Sequence, residues 1–146
     1  MKLRIITFLM ALCCIAFLPG CSTVTNLSAN QTQRALGGLR PDLALNYMEA
    51  TKNLVIVDVV PKEIYEAKHF KGAISIPVPD KSDEELKAAF AQIPAGHPVL
   101  VHCRRGRIAP GAYRKLLVMR PDISEISYIA GVPPFDEYNR WAEKHK

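Results

Sequence analysis

Residues 54–78 read LVIVDVVPKEIYEAKHFKGAISIPV. From Leu54 to Val59 the run is short, β-branched and almost wholly apolar, the pattern of a parallel strand covered on both faces. Asp58 interrupts it near the carboxyl end. Beyond Pro61, the residues Ile64, Ala67 and His69 or Phe70 recur at helical spacing, and Gly72 then turns the chain into a second short strand over Ala73–Val78. Strand, helix and strand in so short a segment make a βαβ unit. The expected fold is therefore α/β, with a mostly parallel central sheet flanked by helices.

The flanking sequence repeats this alternation. Upstream, Pro41-Asp42 opens a helix that carries Leu43, Tyr47 and Met48 on one face and ends at Lys52-Asn53. Downstream, Ser82 is followed three residues later by Glu85, a capping box, and Leu86, Ala89, Phe90 and Ile93 form the apolar stripe of the helix it starts. Pro94 to Pro98 stop that helix. VLVHC (99–103) is a third strand, PGAYRKLLVM (110–119) a helix, ISYIA (126–130) a fourth strand and FDEYNRWAEKH (135–145) a closing helix. Phe135, Tyr138 and Trp141 share one face of that last helix, which is expected to be core.

A chain of 146 residues is long enough for one such domain. Its first part has a different character. Lys2 and Arg4 precede an uncharged apolar run from Ile5 to Leu18, too short for a comfortable permanent span, so residues 1–20 read as a signal peptide. LPGC (18–21) resembles a bacterial lipobox, although Pro19 stands where small or β-branched residues are usual. That resemblance implies lipidation of Cys21, stable membrane anchoring by two acyl chains, and a periplasm-facing lipoprotein of the cell envelope. Ser22 resembles the outer-membrane sorting pattern. Residues 22–38 are rich in Ser, Thr, Asn, Gln and Gly and read as a tether, giving a lipidated linker over 21–38 and a domain over 39–146.

Export makes the cysteines informative. Of four, Cys13 and Cys14 leave with the signal peptide and Cys21 is blocked by lipid. Cys103 alone remains, with no partner for a disulfide in an oxidising compartment, so it is either buried or used. The whole chain holds 19 basic and 14 acidic residues; loss of Lys2 and Arg4 leaves 17 against 14, a net charge of +3. So mild a balance does not call for nucleic acid. Three of the positive charges, Arg104, Arg105 and Arg107, nonetheless crowd the loop behind Cys103.

In a parallel α/β sheet, ligands bind beyond the carboxyl ends of the strands, where Asp58 and Cys103 both fall. Gly106 lets successive N–H groups turn inward, and Pro110 suits the first turn of the following helix. Inward N–H groups, a helix N-terminus and three guanidinium groups all favour an anion, whether a thiolate on Cys103 or an oxyanion brought to it. An acidic, exposed, nucleophilic thiol is expected. His102 alternates with Val101 and Cys103 and is expected to pack between sheet layers, with no catalytic role. His69 reads as a structural residue beside a turn, and Asp58 as a buried carboxylate accepting backbone N–H groups behind the loop.

HCRRGRIA (102–109) resembles the cysteine-phosphatase signature His-Cys-x-x-Gly-x-x-Arg, but Ala109 stands where the clamping arginine belongs. Resemblance to the rhodanese-like sulfurtransferases is wider and covers residues 40–145. The first motif of that family, an aliphatic strand ending Asp-Val-Arg, then an acidic helix, Gly-His, Pro-Gly-Ala and Ile-Pro, is matched by Asp58, Tyr65, His69, Gly72, Ala73, Ile76 and Pro77. Val60 replaces its arginine and Lys68 its glycine, which is expected to weaken a customary salt link of Asp58. VLVHCRRGRIA is similar to the family's catalytic strand and Cys-x-x-Gly-x loop, and ISYIAGVPPFDEYNRW to its closing strand, Gly-Gly and tryptophan, with Val132 for the second glycine. Short exported single-domain members share the arginine after the loop glycine, here Arg107.

The resemblance implies thiosulfate sulfurtransferase activity. Cys103 would take the outer sulfur of thiosulfate, or of a related anionic donor, as a persulfide and pass it to cyanide or a thiol. Arg104, Arg105, Gly106, Arg107 and Ile108 would hold the donor, Asp58 would support the loop, and no metal or organic cofactor would be needed. A monomer is expected. The alternative is a non-catalytic rhodanese-fold binding module on an envelope lipoprotein, usually marked by loss of the cysteine that this chain keeps.

Overall fold

A computed structural model describes residues 34–145. The expected signal peptide, Cys21 and the expected tether up to residue 33 lie outside the described residues. Along the chain run β1 (Ala35–Leu39), α1 (Pro41–Ala50), β2 (Val55–Asp58), α2 (Lys62–Ala67), β3 (Ile74–Ser75), α3 (Asp83–Phe90), β4 (Pro98–His102), α4 (Ala109–Met119), β5 (Glu125–Ile129) and α5 (Phe135–Lys144). The five strands form one parallel sheet in the order β1-β5-β4-β2-β3.

Strand alternation sorts the core into two layers. Val57, Val99, Val101 and Ile126 face Leu86 and Phe90 of α3 and Ala112 and Leu116 of α4. Ile56, Leu100 and Ile129 face Ala44 and Met48 of α1, Phe70, and Phe135 of α5. Burial on both faces is why these strands carry apolar residues at nearly every position. Fully covering one such aliphatic or aromatic side chain is worth about 1.5–3 kcal/mol. The α3 start is held as its sequence predicts: Ser82 Oγ accepts from Glu85 N at 3.2 Å and Glu85 Oε2 accepts from Ser82 N at 2.7 Å.

Residues 35–38, expected in the tether, form β1 with Leu39, and the sheet has five strands where four were expected. The glycines that read as linker serve close packing. A Cβ on Gly38 would lie 2.7 Å from Tyr128 Cζ, so only glycine lets that ring lie against the strand. Just before β1, Arg34 donates to Leu117 O at 2.8 Å and Arg120 O at 2.8 Å, satisfying carbonyls at the α4 C-terminus. Smaller differences concern helix faces. Leu43 and Ile64, expected inward, are 52% and 44% exposed, because α1 buries Ala44 and Met48 and the short α2 buries nothing fully. Trp141 is only half-buried, stacked on Tyr138 and His145 rather than placed in the core.

Candidate active site

Connections leave β2 toward β3 and β4 toward β5, in opposite directions along the sheet, so the boundary between β2 and β4 is its switch point. Asp58 pairs in register with His102 at that boundary, and Cys103 follows directly. The site thus forms where parallel α/β sheets place their ligands.

Cys103 projects into the α3/α4 layer and is 2% exposed, contrary to the expectation of an exposed thiol. The loop covers it: Ile108 packs against the same cluster, and Ala109 is fully buried at the start of α4. No side chain caps α4 at Ile108. Backbone N–H groups of the loop and of this helix start act on the Cys103 sulfur instead. Burial pushes the Cys103 thiol up, but the backbone N–H groups of Ala109, Ile108, Arg105 and Arg107 outweigh it, and the net shift is below the ordinary thiol value. Gly106 makes this curvature possible with φ +68°, while its Cα lies so close to the β5–α5 turn that a Cβ would fall 2.8 Å from Gly131 N.

Asp58 is fully buried on the other layer. Its Oδ1 accepts from Val60 N at 3.4 Å, and its Oδ2 accepts from Arg104 Nη1 at 2.9 Å. Burial raises its carboxyl and the Arg104 guanidinium pulls back, leaving it above the ordinary carboxylate value. The salt link expected to be weakened by Val60 is therefore made by the loop itself. Arg104, expected to hold the donor, is committed elsewhere: Nη2 also donates to Ile64 O at 2.8 Å and Lys68 O at 2.5 Å, and the guanidinium carbon lies 5.0 Å from the Phe135 ring centre. Arg105 and Arg107 are exposed and, among the described residues, have no carboxylate within 4.0 Å.

His102 is fully buried between Phe70 and Phe135, at ring-centre distances of 4.7 and 5.6 Å. Neither ring nitrogen has a hydrogen-bond partner, and the nearest carboxylate oxygen, Asp58 Oδ2, is 3.7 Å from Nε2. Burial, followed by the Arg104 charge, pushes this imidazole down to about 3. It packs between layers as a neutral ring. His69 stacks on Tyr65 at 4.2 Å and its Nδ1 meets Tyr65 O at 2.9 Å, while Tyr65 Oη donates to Ala73 O at 2.7 Å.

Sequence reasoning missed Asn139, whose Oδ1 accepts from Lys71 N at 2.7 Å and whose Nδ2 donates to His69 O at 3.0 Å, tying the β2–β3 crossover to α5. Sixty-eight residues separate Asn139 from Lys71, and no local pattern signals the contact. A cleft of about 390 Å³ lies beside Asn139, but its charges are already paired, Lys68 with Asp136 at 2.9 Å and Lys71 with Glu143 at 3.2 Å. Among the described residues, no three His, Cys, Asp or Glu side chains are grouped to share a metal ion.

Known proteins resemble this one in the same region. The model of the rhodanese-like domain matches residues 41–131. The adenylyltransferase and sulfurtransferase UBA4 of Meyerozyma guilliermondii is 40% identical over 68 residues, 44% of this chain and 16% of that one. An HTH-type transcriptional regulator of Mycobacterium tuberculosis is 35% identical over 78 residues, 53% of this chain and 28% of its own length. The chain thus spans under a third of the length of these curated relatives. Among solved structures, the BH2092 protein of Bacillus halodurans is 16% identical with a TM-score of 0.49, over 80% of this chain and 79% of that one. With the family model matched over more than half its length, the chain belongs to the rhodanese-like domain family.

Proposed function

We propose that this protein is a thiosulfate sulfurtransferase that carries a sulfane sulfur on Cys103. One observation supports the proposal most directly: Cys103 directly follows β4, in the loop that leads into the uncapped start of α4, where the backbone N–H groups of Ala109, Ile108, Arg105 and Arg107 favour its anion. The thiolate attacks the outer sulfur of thiosulfate, an S–S bond forms, the bond to the sulfonate sulfur breaks, and sulfite leaves with the electron pair. Cys103 is left as a persulfide anion whose charge the same N–H groups offset. A thiolate or cyanide then attacks the terminal sulfur and the Cys103 thiolate is regenerated. Arg105 and Arg107, exposed at the rim, draw in the dianionic donor.

Phosphate transfer is disfavoured because Ala109, at the position of the clamping arginine, is fully buried and offers no donor fork. A binding module without turnover is distinguished by intact mass. After incubation with thiosulfate, the native protein is expected to gain about 32 Da, one sulfur atom on the nucleophile, and Cys103→Ser to gain nothing. A native protein without the adduct would refute sulfur transfer. We also propose that the chain is exported, anchored through Cys21 and monomeric, with its domain facing the periplasm. Incorporation of labelled fatty acid should then vanish in Cys21→Ala, and equal labelling of both proteins would exclude Cys21 as the anchor.

A further inference from the structure

The residue directly after the nucleophile does not point where the nucleophile points. Cys103 enters the α3/α4 layer, whereas Arg104 turns to the opposite side, toward Phe135 and α2. There its planar guanidinium meets three acceptors on two stretches of chain: Asp58 Oδ2 at the end of β2, and, at the end of α2, Ile64 O among its last carbonyls and Lys68 O just beyond it. Because Val60 is apolar and buried, Arg104 is the one arginine or lysine paired with Asp58 among the described residues.

The rest of the loop has few such ties. Its middle is wedged at Gly106 against the backbone of Gly131, and its end passes into α4, while Arg105 and Arg107 face solvent and fix nothing. Beyond the β-type bond from Val59 N to His102 O at 3.0 Å, the start of the loop is held through the Arg104 side chain.

We infer that Arg104 is a positioning residue, clamping the start of the catalytic loop to Asp58 and the end of α2 so that the loop's N–H groups stay aimed at the Cys103 sulfur. The inference rests on the proposed sulfur transfer for its rate effects, and on the Arg104 contacts together with the N–H groups that lower the Cys103 thiol for its effect on that thiol. A fork that serves three acceptors at once has no substitute in lysine, which carries the same charge at a single point. Charge and geometry are therefore separable by mutation.

Two measurements test this on the full chain: the pH dependence of iodoacetamide alkylation of Cys103, and the rate of a single sulfur loading as thiosulfate is varied. In Arg104→Gln and Arg104→Lys alike, the alkylation midpoint is expected to rise by about one pH unit. Maximal loading is expected to slow about tenfold, with half-saturating thiosulfate within about twofold of native. Asp58→Asn, which removes the other end of the clamp, should move both readouts the same way. Native behaviour in Arg104→Lys would overturn the proposal, since charge alone would then suffice. So would a raised half-saturation at unchanged maximal rate, the pattern of a donor contact. Should Arg104→Gln not fold, Arg104→Lys carries the same comparison. A native protein that takes up no sulfur refutes the proposed transfer, and the alkylation profile still decides the clamp.

Discussion

Replacing Gly106 with alanine probes the loop where backbone geometry and packing are both at their limit. At φ +68°, an L-residue costs about 1–2 kcal/mol more than glycine. The added Cβ would also lie 2.8 Å from Gly131 N and 3.5 Å from Ala130 C, both backbone atoms, so the β5–α5 turn has to move. It has little room. Gly131 itself backs onto the Pro41 ring, closely enough that a Cβ there would lie 3.2 Å from Cγ. Overpacking of this kind costs about 1–3 kcal/mol, so Gly106→Ala should lose about 2–5 kcal/mol in all. In a domain of this size, at about 4 °C per kcal/mol, that corresponds to a fall in Tm of about 8–20 °C. Gly111, inside α4, is the control: its Cβ would meet nothing within 4 Å, and Gly111→Ala should gain about 0.5–1 kcal/mol. Urea unfolding followed by circular dichroism measures both. A Gly106→Ala protein within about 0.5 kcal/mol of native would refute the tight Gly106–Gly131 approach.

Other perturbations address the buried ring and the rim. His102 has a folded value of about 3 against 6.5 for a free imidazole, so the native state excludes a proton that the unfolded chain binds. Its contribution is present above pH 6.5 and is lost as pH falls from 6.5 toward 3, at up to about 1.4 kcal/mol per pH unit. His102→Phe should flatten that slope and be nearly neutral at pH 7, since neither ring nitrogen has a partner to lose; urea titrations at pH 5 and 7 check both, and a native slope in the variant would exclude His102 as its source. Arg105→Gln and Arg107→Gln should each raise half-saturating thiosulfate about three- to tenfold and weaken its dependence on ionic strength. Unaltered loading curves would remove these arginines from donor capture.

Much of the fold is legible because its signals are local. The LVIVDV strand, the Ser82–Glu85 capping box and Pro110 in the first turn of α4 depend only on neighbours within a few residues, and all three hold. β1 escapes detection because Gly37-Gly38 has a linker's composition, and what makes glycine necessary there is Tyr128, ninety residues away in sequence. Likewise the apolar pattern of α1 groups Leu43 with Tyr47 and Met48, and packing rather than periodicity selects Ala44 and Met48 over Leu43.

The site divides in the same way. From sequence alone come the α/β alternation, Cys103 at a strand end before a helix start, and an anion-favouring loop, because those features are written in consecutive residues. Only the tertiary structure separates three arginines that look alike in CRRGR. The parallel pairing of β2 with β4 sets Asp58 beside His102, and two residues further along the chain Arg104 reaches the buried carboxylate while Arg105 and Arg107 stay in solvent. A buried carboxylate is costly without a cation or hydrogen bonds beside it, and which cation supplies that charge is fixed by strand register, a property that no local stretch of sequence contains.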